Sequence, residues 1–267
     1  MEEPQMTETP EGMKKEVAGG FFETRRRMFW MPASLAGCAI LGGVERVIAD
    51  QLNKDQSMAG PVASAGNQLD WEAFLKQCLP VAGELHKDSS APGQEAYLHW
   101  LASMISRAQT SDIPRAKVGR FEKLEPAVRF GVSYRGKPFF IVEWQLEPRA
   151  FLPPHCHPNV SVCTVGLEGE AQIRNFEIIG QASEFSSRKT FLVRQTHNEI
   201  VAPGRINTLS STRDNIHTFQ AGKAGASGID ISTYHGPDVG FSFLDIAGKP
   251  RDPEGGIYEA TWKGQSV

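Results

Sequence analysis

Cysteine is scarce in this chain of 267 residues: there are four, Cys38, Cys78, Cys156 and Cys163, and no two form a Cys-x-x-Cys pair. Such a set cannot staple a secreted disulfide scaffold, so any redox role rests on a single thiol or on a metal. Charge of one sign is also missing. The 28 basic and 31 acidic residues give a net charge of −3 and are interspersed, apart from a short arginine run near the start. This leaves no basic face for nucleic acid and points to a small-molecule or protein ligand. Internal repeats and low-complexity tracts are absent. What is present is an apolar fraction of 40%, enough to bury a sizeable core in one large domain.

The N-terminal region reads differently from the rest. Residues 1–66 are expected to form a disordered leader: the first 23 are polar and Gly/Pro-rich without sustained periodicity. Within it, the segment 24–44 places Arg25, Arg26 and Arg27 before an uncharged apolar run from Met28 to Val44. That run has the length of a signal core and is marginal for a membrane span. The segment resembles a twin-arginine export signal, and "LAGC" at Leu35 to Cys38 also resembles a lipoprotein box, although the residues after Cys38 stay apolar. "ASA" at Ala63 to Ala65 is the nearest tolerable cleavage site. The expected location is therefore periplasmic or membrane-anchored, the alternative being a cytoplasmic protein with an N-terminal helix.

Residues 67–267 carry the fold. Between 69 and 109, apolar residues recur at i, i+3 and i+4: Trp71, Phe74, Leu75 and Cys78, then Tyr97, Leu98, Leu101, Met104 and Ile105. This predicts two amphipathic helices with a packing role, on which His86 and His99 are ordinary side chains. From about residue 117 the texture is β. Short alternating or continuously apolar runs such as "KPFFIVEWQLEP", "SVCTVGLEGEAQIRNFEII", "TFLVRQTHNEIVAP", "NIHTFQA", "SGIDISTYHG" and "GFSFLDIA" are separated by Gly, Pro, Asn and Asp at intervals of about ten residues. The prediction is an antiparallel barrel or jelly roll with an N-terminal helical cap.

Candidate chemistry begins at "FLPPHCHPNVSVCTVGLEGE", Phe151 to Glu170. On a strand, residues i and i+2 share a face, so His155 and His157 aim together while Cys156 between them faces away. A third histidine, His217, follows a polar turn in "SSTRDNIHTFQAG". The HxH behind a Gly/Pro turn, the later glycine and the later histidine have the form of the two cupin motifs. Their usual carboxylate is missing, because Pro158, Asn159, Val160, Ser161 and Val162 follow His157. Three neutral imidazoles leave the full charge of a dipositive ion to be balanced by an incoming anion, for which a thiolate is the natural candidate.

On these residues, with "LEGEAQIRNFE", "STRDNIHTF" and "GIDISTYHGPDVGFSF", the chain from about Leu69 to Trp262 resembles the thiol dioxygenases of the cupin superfamily, in the cysteamine dioxygenase and plant cysteine oxidase branch. The resemblance implies a mainly β cupin fold, that is, a double-stranded β-helix or jelly-roll barrel. It also implies Fe(II) on His155, His157 and His217, and oxidation of a small thiol or Cys-initiated peptide by O2 to a sulfinic acid. A monomer is expected. Tyr234 is the catalytic candidate at the substrate pocket, although Thr233-Tyr234-His235-Gly236-Pro237 stands where the branch has Pro-Pro-Tyr. Cys163 is one residue out of register with the crosslinked cysteine of animal cysteine dioxygenases, so no cysteine–tyrosine crosslink is expected. His197 and His235 are candidates for substrate contact, and Arg129, Arg149 and Arg174 for holding a substrate carboxylate. The alternatives are a metal- or ligand-binding cupin without turnover, and a three-histidine cupin dioxygenase acting on a diketone or flavonol.

Overall fold

The computed structural model describes residues 69–87, 89–108, 110–113, 115–116, 122–125, 127–136, 139–183, 189–235 and 242–265. The leader, with Arg25 to Arg27, Cys38 and Ala63 to Ala65, lies outside the described residues. Helix α1 (Trp71–Lys87) buries Trp71, Phe74, Cys78, Val81, Ala82 and Leu85 along one stripe, as the periodicity predicts. Helix α2 (Ala91–Arg107) starts where the Ser90 hydroxyl accepts the Gly93 amide, with a proline in its first turn. Both features satisfy or remove amides that have no partner inside the helix.

Among the described residues ten strands follow: β1 (Glu122–Glu125), β2 (Val128–Gly136), β3 (Phe139–Leu146), β4 (Phe151–Cys156) and β5 (Val160–Ile179), then β6 (Phe191–Val201), β7 (Ile206–Leu209), β8 (Ile216–Tyr234), β9 (Ser242–Ile246) and β10 (Ile257–Gln265). All named pairings are antiparallel. Strands β5 and β8 are paired from Val160↔Tyr234 to Phe176↔Ile216 and bend together, so that each serves two layers. One layer runs β2-β3, the second half of β8, the first half of β5, then β7. The other runs β4, the first half of β8, the second half of β5, then β6. This is a double-stranded β-helix, the cupin type of jelly roll, with the helices against its first layer.

Alternation along the strands separates three larger apolar cores and a small fourth one of Val160, Val162 and Leu209, with Phe140 and Tyr234 packed on it. Phe139, Ile141, Cys163, Val165, Ile229 and Ile231 face the helices. Trp144, Leu146, Leu152, Ile173 and Phe219 fill the floor of the lumen between the layers, where Trp144 of β3 meets Phe219 of β8 across the gap, ring centroids 5.1 Å apart. Strands β9 and β10 link β4 to β6 and close a third core over the outer side of the second layer, with Cys156, Phe176, Val193, Ile216, Leu244 and Trp262.

The bends depend on two glycines. Gly169 (φ 64°) and Gly225 (φ 82°) occupy the left-handed region. They also approach each other so closely that a Cβ on Gly169 would overlap the Gly225 carbonyl oxygen. Two features differ from the sequence expectation. The runs "NIHTFQA" and "SGIDISTYHG" belong to one strand, β8, whose small residues Gly222 to Gly225 make the bend as an unpaired bulge while pairing with β5 resumes on both sides. Strand β10 was not anticipated. Its inward residues Tyr258, Ala260 and Trp262 alternate with Glu259, Thr261 and Lys263, a pattern interrupted by the Gly-rich turn just ahead of it.

Replacing Gly169 with alanine is expected to destabilise the fold by roughly 2–4 kcal/mol, from backbone strain plus overpacking. Gly180→Ala has a comparable φ of 72° but nothing within 4 Å of the new Cβ and should lose only about 1 kcal/mol. Urea midpoints at unchanged m-value measure both losses, and equal losses would show that the close approach at the bend is irrelevant.

Candidate metal centre

Strand pairing sets the first two positions of the site. His155 on β4 stands opposite His217 on β8, and His217 stands opposite Asn175 on β5, so all three side chains enter the lumen from adjacent strands. His157 lies one residue past the end of β4, with no strand to hold it. Its amide instead donates to Asn215 Oδ1 at 2.9 Å and to the Asn215 carbonyl at 3.2 Å. The structure brings His155, His157 and His217 into one group with ligand nitrogens within 4.8 Å of one another.

His217 Nε2 lies 2.9 Å from His155 Nε2 and 3.0 Å from His157 Nε2. His155 Nδ1 is 2.9 Å from the Pro153 carbonyl, which can only accept, so this nitrogen carries the ring proton and Nε2 presents a lone pair. A single proton on His217 Nε2 cannot make good hydrogen bonds to both neighbours, whereas one cation satisfies all three lone pairs. Donors about 2.1 Å from a common ion stand about 3.0 Å apart at a right angle and about 3.4 Å apart at the tetrahedral angle. The two observed separations lie close to the spacing of donors that share one ion.

The electrostatics suit the same role. Burial drives His155 down to about 4 from the usual histidine range. His157 and His217 are held well below that range, first by burial and then by the neighbouring imidazoles. All three rings are therefore neutral near pH 7, the form that binds a metal. His217 Nδ1 is buried without a hydrogen-bond partner. The ring is oriented by packing, with Phe219 at 4.9 Å between centroids.

Opposite the histidines the other layer supplies polar groups that the sequence reading did not single out. Ile229 and Ile231 face the helices, so Asp230 faces the lumen. Strand β8 turns over between Gly222 and Gly225, and His217 and Asp230 lie equally far from that turn along the chain, one in each layer. Thr164 Oγ1 donates to Asp230 Oδ1 at 2.6 Å. Burial raises the Asp230 carboxyl to about 6, against the lowering effect of that bond. Asn175 and Asn207 exchange amide hydrogen bonds at 3.0 and 3.1 Å, and Asn207 also donates to Glu199 at 2.6 Å. An alternation argument on "GIDIS" was the available signal for Asp230; nothing local marks Asn207.

The other candidates are placed as follows. Tyr234 is half-buried at the end of β8, stacked on Phe140 at 4.3 Å, and its carbonyl accepts from His86 Nδ1 at 2.7 Å. It shares the lumen face with Asp230, four residues nearer the rim. His197 is outside the group: it is 52% exposed, 3.4 Å from Asp214 Oδ2. His235 meets Ser161 Oγ at 2.9 Å, and burial, then His86, lowers it to about 4. None of the three arginines enters the lumen. Arg129 pairs with Glu147, Arg149 sits in the exposed β3–β4 turn, and Arg174 leans over Phe176, with its neighbours Ile173 and Asn175 taking the inner face. Strand alternation turns Arg129 and Arg174 outward and Arg149 lies in a turn, so none of these candidates for a substrate carboxylate faces the lumen.

No protein-family model matches the chain, and no curated protein is similar in sequence. Among solved structures, KdgF from Halomonas sp. is 13% identical over 43% of this chain and 86% of its own, with a TM-score of 0.33. An uncharacterised protein with a double-stranded β-helix domain from Klebsiella pneumoniae is 13% identical over 51% and 93%, TM-score 0.33. Recombinant oxalate oxidase is 16% identical over 48% of this chain and 59% of its own, less than two thirds of its length, with a TM-score of 0.34. The chain has a cupin fold by its own strand order, and a three-histidine metal-binding group lies in the lumen.

Asp230 gives a pH signature. Its carboxyl holds a proton more tightly folded, at about 6, than unfolded, at about 3.9. The folded state therefore binds more protons between those values, and stability falls as pH rises from about 4 to about 6. In the metal-free protein, Asp230→Asn should be more stable than the wild type by about 2–3 kcal/mol at pH 7–8, the difference vanishing below about pH 4. Chemical denaturation across this range checks it; a difference independent of pH would place the carboxyl in solvent.

Proposed function

We propose that the protein is an Fe(II)-dependent thiol dioxygenase that converts a small thiol or a Cys-initiated peptide to the sulfinic acid, acting as a monomer. The observation that supports this most directly is the donor set: three neutral imidazoles, His155 and His217 buried and His157 partly exposed, with no carboxylate in the group among the described residues. Fe(II) held by His155, His157 and His217 would keep its full charge and would supply the chemistry by which a thiol is oxidised by O2 to the sulfinic acid.

The chain's own residues would divide the remaining work. His155, His157 and His217 hold the ion, and Pro153 fixes the His155 tautomer through its carbonyl. Trp144, Leu152, Ile173 and Phe219 keep water from the floor beneath them, which strengthens every charge interaction above. Asp230, bonded to Thr164 and next to Trp144, would be the acidic group of the lumen that attracts the ammonium group of an aminothiol or of a peptide N-terminus. Tyr234, at the rim, would contact what extends beyond that group. Export is part of the same reading. A twin-arginine route carries folded cargo, which suits an iron site loaded before metals that bind more tightly can compete. Changing Arg26 and Arg27 together to lysine should then trap the precursor in the cytoplasm, and finding the wild type there at full length would overturn that route.

Iron-loaded protein should consume O2 only when a thiol is added, in a screen of cysteamine, cysteine, 3-mercaptopropionate and Cys-initiated peptides. His217→Ala should lose the metal and reduce turnover at least 100-fold, an order set by the loss of one of three ligands, with the barrel still folded by circular dichroism. No uptake with any thiol would leave a metal-binding module, and uptake with a sulfur-free diketone or flavonol would indicate carbon chemistry.

A further inference from the structure

Helix α2 contacts the turn that carries the metal ligands. Gln94, 1% exposed, donates from Nε2 to the Ser89 carbonyl at 2.7 Å. Its Oε1 accepts both the amide and the hydroxyl of Ser211 at 3.0 Å. Next to it, Glu95 accepts Ser210 Oγ at 3.2 Å and Arg213 Nε at 2.8 Å. The turn from Ser210 to Asn215 is thereby held from the helix at three of its six residues, and it needs holding. Asp214 within it has φ 54° and is buried with Oδ1 unpartnered, a conformation that persists only where its surroundings impose it.

The turn passes this constraint on. The Asn215 side chain donates to the Ser211 carbonyl at 3.2 Å and, through Oδ1, receives the His157 amide at 2.9 Å. His157 is the ligand that no strand supports, and two residues after Asn215 comes His217. From Gln94 to the backbone of a metal ligand there are two intervening residues, Ser211 and Asn215.

We propose that Gln94 is a positioning residue for the metal centre, acting through Ser211 and Asn215 on His157, so that metal occupancy and docking of α2 are thermodynamically coupled. The helical cap then does more than bury apolar surface. By reciprocity, whatever strengthens α2 on the turn strengthens metal binding by the same factor, and an ion in the site tightens the cap. The inference rests on the three-histidine group as a metal site and is independent of which substrate is oxidised.

The probe is Co(II), whose visible absorption reports ligand geometry without turnover. Gln94→Leu keeps the volume and removes the acceptor. It should weaken Co(II) binding by about 10- to 100-fold, the range for partners that orient a ligand, and alter the absorption bands. Gln94→Glu keeps an acceptor for both Ser211 bonds but loses the donor to the Ser89 carbonyl, so its Co(II) affinity should fall between those of the leucine variant and the wild type. In the wild type, Co(II) should slow hydrogen exchange at amides 89–96 and 210–216. Wild-type affinity and spectrum in Gln94→Leu would overturn the proposal, as would exchange at 89–96 that does not respond to Co(II). The exchange measurement decides alone if the leucine variant fails to fold. Failure of the thiol reading would appear as normal Co(II) coupling without thiol-dependent O2 uptake.

Discussion

The ladder between β5 and β8 is the constraint on which the rest of the molecule depends. It extends from Val160↔Tyr234 to Phe176↔Ile216, shifting register at Gly166/Glu168 and at Gly169/Ala171, so the paired stretches on either side of the bend fix which residues face the helices and which enter the lumen. A slip of one residue would send His217 into the outer core and bring Ile216 inside, since the side-chain period of a strand is two. Burial on both faces penalises that slip: Ile216 and Val193 pack in the outer core, while Phe219 and Ile173 pack in the lumen. Each fully buried side chain of this kind contributes roughly 1.5–3 kcal/mol before entropy is counted. The metal ligands thus inherit their precision from apolar packing on either side of the sheet.

The groups that face the lumen suit a bound cation. Three imidazoles are pressed together, and the same burial that keeps them neutral makes their facing lone pairs repel. Across the gap Asp230 is held partly protonated by burial. A dipositive ion would relieve the lone-pair repulsion and favour the ionised carboxylate, so each layer of the barrel presents groups whose unfavourable state the ion reverses. His155 and His217 come from paired strands, but His157 depends on Asn215 and hence on the turn and helix behind it.

Much of this could be read from the residues. Periodicity identified α1 and α2 because their buried stripe is continuous, and the i, i+2 rule placed His155 and His157 on one face and Cys156 on the other. His217 was legible because it follows a polar turn and opens an apolar run. What escaped depended on pairing between distant segments. Strand β8 was read as two because "AGKAGASG" has the composition of a loop, and only contact with β3 and β5 keeps it extended. Strand β10 needs β6 and β9 beside it before its alternation means anything. The arginines were open candidates until register showed Arg129 and Arg174 on outer faces. Gln94 has no local signature at all, because its partner Ser211 lies 117 residues away.

The three cysteines among the described residues are all buried away from the histidines. Cys163 packs among residues facing the helices, so its own sheet separates it from the histidines. Burial there pushes its thiol far above the usual range, with the Asp230 carboxylate adding to the rise, which removes the thiolate needed for ligation. Cys78 lies on α1 in the same core. Cys156, though between two ligands in sequence, points into the core beneath β9 and β10. None of these three can supply a thiolate to the lumen without unpacking a core. The side chains of the described residues therefore offer an ion only nitrogen in the three-histidine group.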